Sequence, residues 1–161
     1  MFERTKTAAL SLTAVGLVTI ALNESYTPVA SPPVKGDAPT YGFGSTGPDV
    51  HNGDRITPPK ALERVLKDVQ KDESAVNGCV HVPLAQNEYD AYIDLAYNIG
   101  SGAFCSSTLV RKLNSGDYAG ACREILKWDQ FKGKPLAGLT KRRQQEYHTC
   151  IGDQNANLAS N

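Results

Sequence analysis

Sixteen residues near the start of the chain, Thr7 to Leu22 (TAALSLTAVGLVTIAL), carry no charge, and Arg4 and Lys6 precede them. A helix that spans a bilayer comfortably needs about 20 apolar residues. This run is shorter and is diluted by Ala, Gly, Ser and Thr. A basic start followed by a short apolar run is the pattern of an export segment, here predicted as an N-terminal apolar helix with a weak hold on a membrane. The best small-residue cleavage point, Pro28-Val29-Ala30, has a proline where a small residue is wanted and lies well beyond the run. Retention of the segment is therefore expected over its removal.

From Glu24 to Pro59 Gly, Pro, Ser and Thr dominate, with Pro32-Pro33, Lys35-Gly36-Asp37 and Asn52-Gly53-Asp54. Such a stretch predicts turns and short strands, with Thr40-Tyr41-Gly42-Phe43-Gly44 as the best strand or hairpin candidate. Thr57-Pro58-Pro59 opens a helix, with Thr57 as N-cap and proline tolerated in the first turn. Leu62, Val65, Leu66 and Val69 then form a single apolar stripe at helical spacing.

Beyond Gly78 the pattern is helical. Tyr89, Tyr92, Ile93 and Ala96 share a face that Ala91 and Leu95 widen, with Asp90 and Asp94 on another, which predicts a central buried helix stopped by Asn98-Ile99-Gly100-Ser101-Gly102. Leu109, Val110 and Leu113 mark a short helix. Asp117 caps another, bearing Tyr118, Ala121, Cys122, Ile125 and Trp128. Gly133 and Gly138 bracket a turn before a last helix from Leu139 to Thr149. The tail after Gly152 has no apolar period and is expected to be loose.

The predicted fold class is α+β: a small strand-containing N-terminal lobe joined by one helix to a helical C-terminal lobe, with a cleft between that suits a long ligand. The expected organisation is an export segment over 1–23, a globular domain over 24–152 and a flexible tail over 153–161. A length of 161 residues leaves room for one such domain. Lys+Arg and Asp+Glu are both 17, which argues against a nucleic-acid partner because that function wants a basic excess. A 40% hydrophobic and 21% charged composition excludes wholesale disorder.

Charge is nonetheless uneven. Residues 123–145 hold Arg123, Lys127, Lys132, Lys134, Lys141, Arg142 and Arg143 against Glu124 and Asp129. A face of that kind suits a polyanionic envelope surface, and a plain solvated helix face is the alternative. Cys79, Cys105, Cys122 and Cys150 are even in number and all lie in the presumed exported part, so two disulfides are expected, with three pairings open.

No metal or cofactor is expected. His51, His81 and His148 are far apart, without a partner at ligand spacing. There is no G-x-S-x-G, and no Lys-Ser/Thr follows Gly42-Phe43-Gly44. What remains is a carboxylate system. Glu24, beside an apolar segment, suits a general acid, and Asp37 with the Thr40 hydroxyl can hold a water opposite it. An acid on one side of a bond and a water-holding carboxylate on the other is the equipment of glycoside hydrolysis. The plainer alternative makes Glu24 a polar stop and Asp37 a turn residue.

From Glu24 onward the chain resembles the phage-type lysozymes of glycoside hydrolase family 24, the endolysins. The resemblance rests on a Glu, a turn-rich stretch with an Asp, and Thr40-Tyr41-Gly42-Phe43-Gly44-Ser45-Thr46. It continues through Pro83-Leu84-Ala85-Gln86, Tyr97-Asn98-Ile99-Gly100, Phe104-Cys105-Ser106-Ser107-Thr108-Leu109, Leu113-Asn114-Ser115-Gly116-Asp117, Trp128, and Gly138-Leu139-Thr140-Lys141-Arg142-Arg143 with Glu146.

The resemblance implies a lysozyme-like fold and hydrolysis of the β-1,4 bond between N-acetylmuramic acid and N-acetylglucosamine, with inversion. Glu24 would be the acid, Asp37 the carboxylate facing the water and Thr40 its partner. The Glu-to-Thr distance is nearly that of the family, but the slot six residues before Thr40 holds Val34, and Asp37 is displaced by three positions. Some members of the family carry a signal-anchor-release segment, which implies export, tethering to the inner membrane and release to the periplasm. With no cysteine in the segment, a refolding or steric switch is expected rather than disulfide exchange. The implied partners are bacterial peptidoglycan and, through the N-terminal segment, the inner membrane; the protein is expected to be a monomer. An exported, catalytically inactive wall-binding module on the same scaffold is the other reading.

Overall fold

The computed structural model describes residues 3–153. The expected loose tail, Asp153 apart, lies outside the described residues. The chain divides into two units, one of residues 1–16 and 72–161 and the other of residues 17–71.

The apolar run does not form the single N-terminal helix expected over Thr7 to Leu22. A short 3-10 turn over Thr7–Ala9 is followed by irregular chain, and helix α1 occupies Ala14–Glu24. Polar residues within the run cause the break. Thr13 Oγ1 accepts from Gly16 N (3.0 Å) and donates to Asp90 (2.6 Å), whose other oxygen accepts from Thr13 N (3.1 Å). Thr13 is thus an N-cap, satisfying a first-turn amide that the helix itself leaves open. Leu12 N donates to Glu73 (2.6 Å), and Gln86 donates to Ser11 O (2.9 Å). No described helix is long and apolar enough to cross a membrane.

Farther out, Thr5 pairs with Leu84 by two 2.8 Å backbone bonds. Arg4 donates to Glu88 at 2.6–3.2 Å and lies over the Tyr118 ring, 3.7 Å from its centroid. Residues 4–13 are thereby an arm folded against the helical unit.

In the 17–71 unit, strands β1 (Thr27–Ser31) and β2 (Thr40–Gly42) are antiparallel, with Thr27 opposite Gly42, Ser31 opposite Thr40 and an irregular register between. Residues 53–56 line the other edge of β1 through Ala30 N to Asp54 O (2.8 Å), Gly53 N to Ala30 O (2.8 Å) and Ile56 N to Pro28 O (3.1 Å). Helix α2 (Pro58–Cys79) begins where Thr57 predicts and runs longer than the stripe read from sequence. Its buried stripe is Ala61, Val65 and Val69, whereas Leu62 and Leu66 are each 46% exposed. The small Ala61 takes the inward position because Gly42 passes close beside it.

The helical unit is built on α3 (Gln86–Ile99), whose Tyr89, Ala91, Tyr92, Ile93, Leu95 and Ala96 are all buried, as predicted. Gly100 ends it, but α4 (Ser101–Cys105) starts at once, where the sequence pattern shows only a stop. Helices α5 (Thr108–Asn114) and α6 (Tyr118–Ile125) pack together, each capped by the side chain before it, Ser107 on Val110 N and Asp117 on Gly120 N. A small hairpin of β3 (Gln130–Phe131) and β4 (Lys134–Pro135) precedes α7 (Ala137–Cys150). The disulfides are Cys79–Cys105 and Cys122–Cys150.

Helix α7 lies against α3 and α6. Asn87 donates to the last carbonyls of α7, Thr149 O (3.2 Å) and Cys150 O (2.8 Å). The Lys141-Arg142-Arg143 run is not the basic surface it suggests. Arg142 and Arg143 are buried: Arg142 donates to Asp94 (2.8 Å) and Glu146 (3.2 Å), and Arg143 to Asn98 (3.0 Å) and Glu146 (2.6 Å). Buried guanidinium groups require such partners. Burial, reinforced by Asp94, pushes the Glu146 carboxyl up to about 8 against the opposing pull of the two arginines.

Candidate active site

All three residues singled out from the sequence lie in the 17–71 unit. Glu24 is the last residue of α1 and is half-buried. The chain turns at Ser25 through a positive φ of 55° into β1. Tyr26 then anchors the hairpin: its hydroxyl donates to Ile56 O (2.6 Å), and its ring lies 5.5 Å from that of Phe43.

The Thr40–Thr46 motif forms a tight turn. Tyr41 and Ser45 exchange backbone bonds (3.1 and 3.0 Å), and Thr46 Oγ1 donates to Pro39 O (3.0 Å). Gly44, at φ 79°, sits against the Glu24 side chain so closely that a Cβ there would lie 2.9 Å from Glu24 Oε2. The positive φ and the close approach both call for glycine. Sequence pattern indicates the turn at Gly42–Gly44, but not that its second glycine faces the carboxyl of Glu24.

Asp37 and Thr40 are at the other end of the hairpin. Asp37 is exposed, and Thr40 Oγ1 points to Ser31 O at 3.5 Å, too far for more than a weak bond. The backbone before Asp37 forms a tight turn. Asp37 N donates to Val34 O (3.0 Å), closing a turn in which Gly36 takes φ 101°. This is the geometry of a type II turn, whose ends lie within about 7 Å. The Asp37 backbone is thus returned to the neighbourhood of Val34.

Arg64, which the sequence reading passed over, holds the segment after the motif. Its guanidinium pairs with Asp49, donates to Thr46 O (3.3 Å) and reaches Asp68 (3.4 Å). That pairing holds the Asp49 carboxyl down to about 2. Among the described residues no group of three His, Cys, Asp or Glu is placed to hold a metal.

The family model described as Phage lysozyme matches residues 22–146. The endolysin of Acyrthosiphon pisum secondary endosymbiont phage 1 is 46% identical over 111 residues, 66% of this chain and 75% of that protein. The SAR-endolysin of Enterobacteria phage P21 is 34% identical, over 71% of this chain and 70% of its own length. Among solved structures, a mutant of P22 lysozyme superposes with a TM-score of 0.75 at 33% identity, covering 88% of this chain and 99% of that one. The motif that surrounds Glu24 therefore lies inside a match spanning most of the chain, and the chain belongs to the phage lysozyme family.

Proposed function

We propose that this endolysin, a muramidase that degrades bacterial peptidoglycan, cleaves the β-1,4 bond between N-acetylmuramic acid and N-acetylglucosamine with Glu24 as general acid. Glu24 gives its proton to the glycosidic oxygen as the bond to the anomeric carbon breaks. Asp37, with the Thr40 hydroxyl, orients a water that attacks that carbon from the opposite face and takes up the water's proton, so the product anomer is inverted. The observation that carries this reading is the Glu24 carboxyl seated against Gly44 of the Thr-x-Gly-x-Gly-x-Thr turn. The Val34–Asp37 turn supports the assignment of Asp37 despite its displacement.

The N-terminal segment first tethers the protein to the inner membrane and is later freed into the periplasm, where it folds as the arm and α1. The Thr13 hydroxyl finds a polar partner in the folded arm, and burying a hydroxyl in lipid without a partner is unfavourable. While the segment is in the bilayer, Glu24 is held at the membrane surface away from the hairpin turn.

The deciding measurement is reducing-end release from purified peptidoglycan by the full-length oxidised protein beside Glu24→Gln. A loss of several orders of magnitude is expected. Equal turnover by both proteins overturns the assignment of Glu24. Depolarising the membrane of cells that carry the tethered form is expected to start wall hydrolysis, and no gain in activity overturns the release mechanism.

A further inference from the structure

The β3–β4 hairpin carries an exposed aromatic flanked by two lysines that the muramidase reaction leaves unused. Phe131 is 54% exposed, and Leu136 and Leu126, which flank the hairpin, are 51% and 38% exposed. Phe131 and Lys134 are directly opposed across the two strands, so their side chains share a face. Lys132 bends back over the Phe131 ring, with Nζ 5.3 Å from the centroid.

The turn is fixed in shape. Lys132 and Gly133 both take positive φ, 51° and 77°, as a two-residue hairpin turn requires. Leu136 N to Asp129 O (2.9 Å) closes its base, and Thr140 Oγ1 engages the Asp129 carboxyl (3.1 Å). Residues 130–138 contain no acid. The other nearby carboxylate, Glu124, is buried and already paired with Lys112 (2.6 Å) and Lys127 (2.9 Å).

Scattered exposed apolar residues need no explanation. Here, however, exposed Phe131 and Leu136 lie with Lys132 and Lys134 in one short acid-free element of fixed shape. We infer that this hairpin docks on the surface of an anionic phospholipid bilayer, with Phe131 entering the headgroup layer and Lys132 and Lys134 on lipid phosphates. A wholly polar polyanion would use the lysines but leave Phe131 and Leu136 in water. An interface that is apolar below and anionic above satisfies both. This surface is independent of the catalytic assignment and of the N-terminal segment.

Trp128 is the sole tryptophan and lies two residues before β3, so its fluorescence reports on the hairpin and not on the N-terminal arm. The experiment titrates the full-length protein with vesicles of equal phosphatidylglycerol and phosphatidylcholine, or of phosphatidylcholine alone, containing acyl-brominated lipid as quencher. Quenching of Trp128 by the anionic vesicles is expected, with at least tenfold weaker partitioning onto the neutral ones. Each lysine near an anionic surface is worth about fivefold in partitioning, so Lys132→Gln with Lys134→Gln lowers partitioning by about 25-fold. Phe131→Ser abolishes the quenching. Hydrolysis of purified peptidoglycan by all variants stays at wild-type level, which shows that they are folded. Three results overturn the inference: no quenching by either vesicle, variants that partition like wild type, or hairpin substitutions that weaken sedimentation with peptidoglycan while leaving vesicle binding unchanged.

Discussion

Replacing Gly44 with alanine separates the two demands on that residue. Its φ of 79° strains any residue with a Cβ by about 1–2 kcal/mol, partly offset by about 0.4–1 kcal/mol from a stiffer unfolded chain. The net loss of stability is about 1 kcal/mol, or roughly 3 °C in Tm for a chain of this size. The new Cβ would also stand 2.9 Å from Glu24 Oε2, where ordinary contact begins at 3.4 Å. The carboxyl is the far end of a flexible side chain, so it will yield rather than the backbone, retreating by about 0.5 Å, the difference of those two distances. If a 1 Å misplacement of a reacting group costs about 100-fold in rate, half that costs about tenfold.

The control is Gly133→Ala, which has nearly the same φ, 77°, and no atom within 4 Å of its Cβ. Initial rates of reducing-end release from purified peptidoglycan at 25 °C, where both variants remain folded, are compared with their thermal midpoints. Both should lose about 3 °C, and Gly44→Ala alone should lose about tenfold in kcat with KM little changed. If Gly44→Ala keeps wild-type kcat while showing the same loss in Tm as the control, contact with Gly44 does not position Glu24 for catalysis, and the reasoning fails.

Arg4→Ala removes a partly exposed partner of the buried Glu88, so the discounted loss is about 1–2 kcal/mol in a urea titration, with faster amide exchange at Thr5 and Leu84 where the arm pairs. Reducing Cys79–Cys105 and Cys122–Cys150, which close loops of 26 and 28 residues, should lower stability by about 3.5 kcal/mol per bridge in the loop-entropy model, seen as a fall in Tm with dithiothreitol; an unchanged Tm would show that neither bridge constrains the unfolded chain. The Glu146 carboxyl is raised from 4.5 to about 8 in the folded protein, so the folded state binds the extra proton and stability falls as pH climbs through that window. Glu146→Gln should flatten that part of the Tm-against-pH curve, and a wild-type curve that rises there instead would mean that pairing with the arginines outweighs burial.

Sequence periodicity served best where partners are local. The apolar face of α3, the start of α2 just after Thr57 and the Asp117 cap depend on residues within a turn or two, and each is found as read. It failed where the deciding partner is distant. Arg142 and Arg143 look like a surface run until Asp94 and Asn98, 48 and 45 residues away, are brought against them. Leu62 and Leu66 outrank Ala61 on any hydropathy reading, yet Gly42 leaves room beside α2 only for the smaller side chain. The β3–β4 hairpin is too short for a two-residue alternation to register, and only Gly133 hints at it. At the site, the Gly-x-Gly spacing made the hairpin turn legible. The return of Asp37 toward Val34 depends on one backbone bond across Lys35-Gly36, which residue spacing alone does not reveal.

The N-terminal run shows why a composition can be read correctly and still not yield the conformation. The same polar residue, Thr13, weakens a bilayer helix and directs the alternative fold. Its hydroxyl dilutes the apolar span and is also where Asp90, 77 residues along the chain, engages it, while Gln86 takes the backbone carbonyl of Ser11. The partners are carried by α3, and Leu12 N is taken by Glu73 of α2, so the break before Ala14 exists only once the helical unit is folded. In the proposed sequence of events, a chain still in the membrane lacks those partners and keeps its amides bonded as helix. The folded unit supplies them, and in doing so sets the start of α1 at Ala14. Thr13→Val keeps the volume while deleting the cap and the hydroxyl's bond to Asp90, leaving the bond from the backbone amide in place. It should favour the membrane-tethered form and slow the onset of lysis after depolarisation, leaving the rate on purified peptidoglycan within a few-fold of wild type once the protein is free. Onset unchanged by that substitution would mean that the cap is a consequence of refolding and does not help to drive it.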